Sequence, residues 1–382
     1  MDYLNIENFK CFYGVNIPIN RLTVLAGANG NGKSTTIQAL LYLRRTIEHC
    51  AKWENGENFE PGFYSIDKPN GLNVELNGSY CLALGNSNYV LPRDYEKDTI
   101  ALGITNSIGN FGITYDSNDG ELWLEPIDVI GKSDRSGLFI QEFYYLNAER
   151  MGPRISQGIK FYDYPNAGYQ GEFVAQLLGD TNSNYKIKIE EDRKYLDTPS
   201  PYLEQQVNAW LNDLMPGVSV SASYNADTHS AQIKVDNFFT KGEPTIAPNI
   251  GFGISYVLPI LVTGLIAKSG SYMIVENPEA HLHPSAQSKI GRFLAKIAQS
   301  GVNVIVETHS DHVINGIQIS AAKNEINAEK ITVNFFSQGT GNRQPDIDSI
   351  SINNKGELSK WPKGFFDQSQ VDFAELFKMR KG

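Results

Sequence analysis

The chain has 382 residues, 41% hydrophobic and 20% charged, enough apolar mass for a large core over two to three domain lengths. Its formal net charge of -10 argues against bulk attraction to nucleic acid or to an anionic membrane, so any such binding needs a local basic patch. Cys11, Cys50 and Cys81 form no C-x-x-C, no basic-then-apolar leader opens the chain and no apolar run reaches spanning length, so the expected setting is the cytoplasm, without disulfides, zinc ribbon or membrane.

Leu4 to Phe9 alternates apolar and polar residues and predicts a half-buried strand. Val15 to Ile19 is a second, expected to hairpin toward a third, the apolar run Leu22 to Ala26. Gly27-Ala28-Asn29-Gly30-Asn31-Gly32-Lys33-Ser34 follows, and Thr35 to Arg45 reads as a helix without Gly or Pro. Strand, G-x-x-x-x-G-K-S and helix together make a phosphate-binding loop of a nucleoside triphosphatase. Glycines at 27, 30 and 32 allow backbone conformations in which successive N–H groups face phosphate oxygens. The helix that follows adds its unpaired N–H groups and positive dipole end. Lys33 is expected on the β- and γ-phosphates of ATP, and Ser34 on Mg²⁺, with Thr35 beside them.

Residues 50 to 140 are dense in Gly, Asn, Ser and Asp. Short β-rich runs (Gly71 to Leu76, Tyr80 to Leu84, Phe111 to Tyr115, Glu121 to Leu124) predict an antiparallel meander. Phe143 to Leu146 runs from a strand into a polar turn carrying Arg150 and Arg154. These two are either phosphate or carboxylate clamps or a solvated surface pair. A short helix is expected from Glu172 to Leu178, and a cleaner one from Pro201 to Leu214 with Ser200 as its N-cap. Two strands follow, Val218 to Tyr224 and Ala231 to Val235. Gly251 and Gly253 then open an apolar helix, Val257 to Lys268, at a helix start suited to close approach by an anion.

Tyr272 to Val275 is a buried strand ending in Glu276-Asn277-Pro278-Glu279, and a helix from Ser285 to Gln299 follows Ala280-His281-Leu282-His283-Pro284. Val302 to Val306 is the next buried strand, ending in Glu307-Thr308-His309-Ser310. A histidine at the carboxyl end of a parallel strand sits over a ligand crevice. The tail brings Ile331 to Phe336, a Gly-Thr-Gly-Asn turn, Ile347 to Ile352, and a short basic amphipathic helix, Phe373 to Lys381, with Lys378, Arg380 and Lys381.

The opening L-x-I-x-N-F-K-x-F, the glycine loop, Y-Y-L-x-A-E-R-x-G-P-R, G-F-G-x-S, E-N-P-E-A-H-L-H-P, E-T-H-S-D-H and W-P-K-G-F-F-D occur in that order. Together they resemble a bacterial group of RecF/OLD-like ABC-type ATPases with an SMC-like head and a C-terminal domain of unknown function. The resemblance implies an α/β fold: an ABC-type P-loop head with a mixed parallel core sheet, an antiparallel β-subdomain over the base and ribose, and a small C-terminal α+β extension. It implies a head at 1–48 and 141–325, a β-rich insert at 49–140 and an extension at 326–382. Glu276 takes the Walker B place toward Mg²⁺, and Asn277 falls where the family keeps its catalytic Glu, with Glu279 as a substitute. His309 matches the switch histidine at the γ-phosphate. Gly251 falls on the place of the signature serine, which acts on ATP held by a partner head. A homodimer sandwiching two ATP is implied, controlling a separate effector such as a nuclease or toxin, in phage defence or DNA maintenance.

Three other readings stand beside it. One is a RecF-like repair ATPase that binds DNA or RNA. Another is a metal-dependent hydrolase using His281, His283, His309 and His312. The third is a scaffold that binds nucleotide without turnover, because Asn277 cannot act as a base.

Overall fold

The computed structural model describes residues 1–56, 62–134, 137–179, 186–238, 243–246, 248, 251–339 and 343–379, without the side chains of 368–370. The expectations for Thr340, Gly341 and Asn342 of the Gly-Thr-Gly-Asn turn and for Arg380 and Lys381 lie outside the described residues.

In chain order the first elements are β1 (Asp2–Phe9), β2 (Phe12–Ile19), β3 (Leu22–Gly27) and α1 (Lys33–Cys50). Next come β4 (Lys52–Glu54), β5 (Phe63–Ser65), β6 (Val74–Glu75), β7 (Thr99–Thr105), β8 (Asn110–Asp116) and β9 (Trp123–Ile130). The middle holds β10 (Phe143–Leu146), β11 (Gln157–Gly158), α2 (Val174–Gly179), α3 (Leu203–Leu214), β12 (Val218–Asn225), β13 (Ser230–Asn237) and β14 (Thr245–Ile246). The last part runs α4 (Phe252–Ile266), β15 (Tyr272–Glu276), α5 (Pro284–Gln299), β16 (Asn303–Glu307), α6 (Asp311–Ala322), β17 (Ile331–Ser337), β18 (Asp346–Ile350) and α7 (Gln368–Met379).

The core sheet has the order β10-β15-β16-β3-β17-β18, parallel except for the edge strand β18. Its central strands are buried and mostly apolar because both faces are covered. Successive side chains point to opposite faces. On β15, Tyr272 and Ile274 join the core beside α1, while Met273 and Val275 join the core beside α4, α5 and α6. Val304, Ile305 and Val306 of β16 divide in the same way. α4 carries ten buried residues and is apolar nearly all round, as a helix sandwiched in a core must be.

A second, antiparallel sheet has the order β2-β1-β7-β8-β9-β6. β2 pairs with β1, Ile6 opposite Val15, and takes the sheet edge instead of pairing with β3. The partner on the other side of β1 is β7, which had no predicted strand; Ala101 and Gly103 blur its β pattern. Tyr80 to Leu84 is a turn, with Tyr80 and Cys81 at φ 56° and 55°. α3 begins at Leu203, and Tyr202, not Ser200, stands at its N-cap. β17 and β18, from the stretch expected as an extension, complete the core sheet. β12, β13, β14 and β11 form a third sheet against α2 and α3. No helix among the described residues is long and apolar enough to cross a membrane.

Candidate functional site

The loop between β3 and α1 needs glycine at two crowded places. Gly27 and Gly32 have φ of 133° and 96°. A Cβ on Gly27 would lie 2.1 Å from the carbonyl oxygen of Phe336, and one on Gly32 would lie 2.6 Å from the Phe12 ring. The loop is thus wedged between β17 and the β1–β2 turn, where only backbone fits. Lys33 is buried at the first position of α1. Its Nζ donates to the carbonyls of Gly27 and Ala28, both at 2.9 Å. Burial lowers the Lys33 pKa, and Glu307 works against that fall. The ammonium is therefore desolvated and held by two neutral acceptors, a setting in which an anion is a stronger partner.

Parallel strands bring their carboxyl ends to one edge of the sheet, and the site lies there. Glu276 and Glu307 are register partners at the ends of β15 and β16. Ser34 donates its hydroxyl to Glu307 Oε1 at 3.0 Å and reaches Oε2 at 3.3 Å. Burial, then the nearby Glu276, push the Glu307 carboxyl up to about 7, with Lys33 and Ser34 opposing. Glu276 is raised as well, mainly by burial, while the Tyr145 hydroxyl at 2.8 Å and the Ala148 N–H favour its charged form.

Arg150 settles differently from either sequence reading. It is 2% exposed and donates to the backbone carbonyls of Glu276 (2.6 Å), Asn277 (2.6 Å) and Asn147 (3.1 Å). It is neither a phosphate clamp nor a surface pair but a latch that fixes the end of β15. Burial lowers its pKa to about 10. Arg154 is exposed, away from this site, beside Gly251 and Ser255.

Asn277 stands at φ 45° with its N–H on the Glu307 carbonyl, and its buried Oδ1 has no hydrogen-bond partner among the described residues. Glu279 is spent on structure. One oxygen accepts from the Thr308 hydroxyl and the other from the His309 N–H, each at 2.7 Å, so it shapes the turn after β16. That turn sets His309 beside the loop, where burial and Lys33 lower its pKa against the pull of Glu279. Both effects favour the neutral imidazole, which keeps one N–H to donate.

These groups line one open cleft of about 550 Å³. It brings together Asn29, Gly30, Gly32, Lys33, Ser34, Thr35, Glu276 and His309 with Asn277 and Glu307. Gly27, Ala28 and Asn31 shape the loop behind it. Glu279, Gly251 and Gly253 are not among its lining residues. Gly253 instead lets α4 pass the loop after β15, since a Cβ there would lie 2.9 Å from the His281 carbonyl. Sequence reasoning missed Glu307, Tyr145 and Lys10. A signal existed for Glu307: Ile305-Val306-Glu307 repeats Ile274-Val275-Glu276.

The histidines do not gather. His281 packs on Tyr256 and Phe252, His283 caps α5 through Nδ1, and His312 pairs with Asp311. Among the described residues no cluster of three His, Cys, Asp or Glu forms a metal site, which removes the four-histidine hydrolase. A triphosphate with Mg²⁺ does suit the donor set. The cleft offers a desolvated ammonium, a hydroxyl, two carboxylates and an orphaned amide oxygen, and Mg²⁺ in such sites takes few protein oxygens.

Comparison with known proteins agrees. A family model described as "AAA domain, putative AbiEii toxin, Type IV TA system" matches residues 111–315, more than half of the chain. Another described as "AAA domain" matches 3–43, and one described as "Protein of unknown function (DUF3696)" matches 326–376. The OLD nuclease of Thermus scotoductus is 20% identical over 80% of this chain and 58% of its own length. The Old nuclease of Escherichia phage P2 is 26% identical over 41% of this chain and 32% of its own length. The chain therefore spans about a third to three-fifths of these relatives. Among solved structures, the SmcHead bound to the C-winged helix domain of ScpA superposes with a TM-score of 0.51 at 14% identity, covering 91% of this chain and 97% of that one. That likeness shows the fold: an SMC-type head of the ABC P-loop class. On the match across 111–315, which includes the ends of β15 and β16 just described, the chain belongs to the AAA-domain family of that description, an OLD- and RecF-like ATPase with an SMC-like head, and its glycine loop lies in the separate AAA-domain match at 3–43.

Proposed function

We propose that this protein is an ATP-driven switch. It binds ATP and Mg²⁺ at the glycine loop, closes as a head-to-head homodimer, hydrolyses slowly and controls a separate effector. The observation that carries this reading is the combination of a complete phosphate loop with Asn277 where a base is needed. Lys33 exchanges the carbonyls of Gly27 and Ala28 for phosphate oxygens. Mg²⁺, when bound, neutralises phosphate charge. Glu276 and Glu307 supply the acidic edge, and His309 offers a neutral donor across the cleft. Gly251, Ser255 and Arg154 stand together at the start of α4, outside the cleft, and are the groups that would meet ATP held by a second copy. Asn277 cannot accept a proton, and both Glu279 oxygens are engaged, so proton removal from water is poorly served and turnover is slow.

The likeness to OLD nucleases supports a setting in phage defence or DNA maintenance, with a nuclease or toxin as effector and the cytoplasm as location. Light scattering tests the switch: wild type is expected to dimerise with Mg-ATP and Lys33→Ala to stay monomeric. A wild-type monomer at saturating Mg-ATP overturns it. Asn277 also favours a second reading, binding without turnover, and phosphate release at or below the Lys33→Ala level would select it.

A further inference from the structure

The carboxylate that meets the loop serine is not the one at the Walker B place. β16 lies between β15 and β3 in the core sheet, so Glu307 ends the strand adjacent to the loop strand. Glu276 ends one strand further away and is turned to another task, accepting the Tyr145 hydroxyl at 2.8 Å. Ser34 donates a hydrogen bond from its hydroxyl to Glu307, at 3.0 Å and 3.3 Å from the two oxygens. A hydroxyl that donates keeps its oxygen lone pairs. Ser34 therefore remains an acceptor open to the cleft, beside a carboxylate that is 5% exposed.

We propose that Ser34 and Glu307 form the Mg²⁺-holding pair of this protein, with Glu276 as an outer carboxylate positioned by Tyr145. The inference rests on the reading of the loop as a triphosphate site. Its chemistry is that of a hard divalent cation, which prefers oxygen donors and is held at such sites by one or two carboxylates beside the phosphates. A buried carboxylate, Glu307, and a half-buried one, Glu276, at register positions repel each other, and a divalent cation relieves that repulsion. The assignment reverses the usual order of importance, since the carboxylate on the histidine strand is primary and the one on the Walker B strand is secondary.

The test measures affinity for a fluorescent ATP analogue in excess EDTA and in excess Mg²⁺. Wild type, Glu307→Gln and Glu276→Gln are compared. Wild type is expected to bind more tightly with Mg²⁺. Glu307→Gln, which is isosteric, loses at least ten-fold of that gain while its affinity in EDTA stays equal or rises, showing that it is folded. Glu276→Gln keeps most of the gain. Loss of the Mg²⁺ gain in Glu276→Gln with retention in Glu307→Gln overturns the proposal, and so does equal loss in both. A wild type that binds no analogue in either buffer overturns the triphosphate reading itself, which is a distinct result.

Discussion

Replacing Glu307 by Gln should stabilise the protein in the absence of metal and nucleotide, and only above mildly acidic pH. Glu307 is 5% exposed, so little solvent screening applies to it. Its pKa rises from 4.5 to about 7, chiefly through burial and then through Glu276. Below pH 4.5 the group is protonated in both the folded and unfolded chain and contributes nothing. Between 4.5 and about 7 the unfolded chain has released the proton and the folded one retains it, so stability falls as pH rises. Above about 7 both forms are ionised and the full cost stands. At about 1.4 kcal/mol per pH unit, that cost is on the order of 3 kcal/mol. Gln carries no charge and still accepts from Ser34, so the variant escapes the penalty. For a chain of this size, the gap corresponds to roughly 3–5 °C in melting temperature. Melts in EDTA at pH 5 and pH 8 measure it, with the variant expected close to wild type at pH 5 and clearly higher at pH 8. A gap of the same size at both values, or a variant less stable at pH 8, refutes the reasoning. Saturating Mg²⁺ and nucleotide should narrow or invert the order, because wild type gains more from binding.

Arg150→Ala should cost about 1–3 kcal/mol in chemical denaturation, since it removes the donor for the carbonyls of Glu276 and Asn277 at the end of β15 and of Asn147. An effect under about 1 kcal/mol would mean that water replaces the latch. Gly27→Ala should fail to yield folded protein, because its Cβ meets the Phe336 carbonyl at 2.1 Å; a cooperative melt near wild type contradicts that. Lys33→Ala should lose binding of the ATP analogue yet keep the wild-type circular dichroism spectrum. Asn277→Glu should raise phosphate release above wild type, at a stability cost of about 1 kcal/mol for a longer side chain at positive φ. Unchanged or lower release shows that the missing base is not what limits turnover.

The core strands were legible because they are buried on both faces and read as predominantly apolar runs. β3, β15, β16 and β17 all fall where such runs predict them. β7 was not legible. Its centre, Ala101-Leu102-Gly103, has no strong β signature, and its place is fixed by pairing with β1 some hundred residues earlier. β2 was misassigned for a related reason. Its hydrophobic pattern predicts a strand, but the choice between β1 and β3 as partner is made by the tight turn at Lys10, which folds it back on β1.

The site divides along the same line. The phosphate loop is a local structure, so its residues can be read from spacing alone. The acidic edge is not local. Sequence order places Glu276 in a familiar motif and Glu307 beside a histidine that draws the attention. Sheet order places β16, not β15, against β3, and that alone determines which carboxylate reaches Ser34. Arg150 carries the same lesson. A guanidinium next to a phosphate loop suggests a ligand clamp, yet three carbonyls claim it, because the turn after β10 lies over the end of its neighbour β15. Motifs identify which chemistry is present, and strand adjacency decides which side chain performs it. The Glu307→Gln and Glu276→Gln pair separates the two, since the variants have the same chemistry and differ only in which strand carries them.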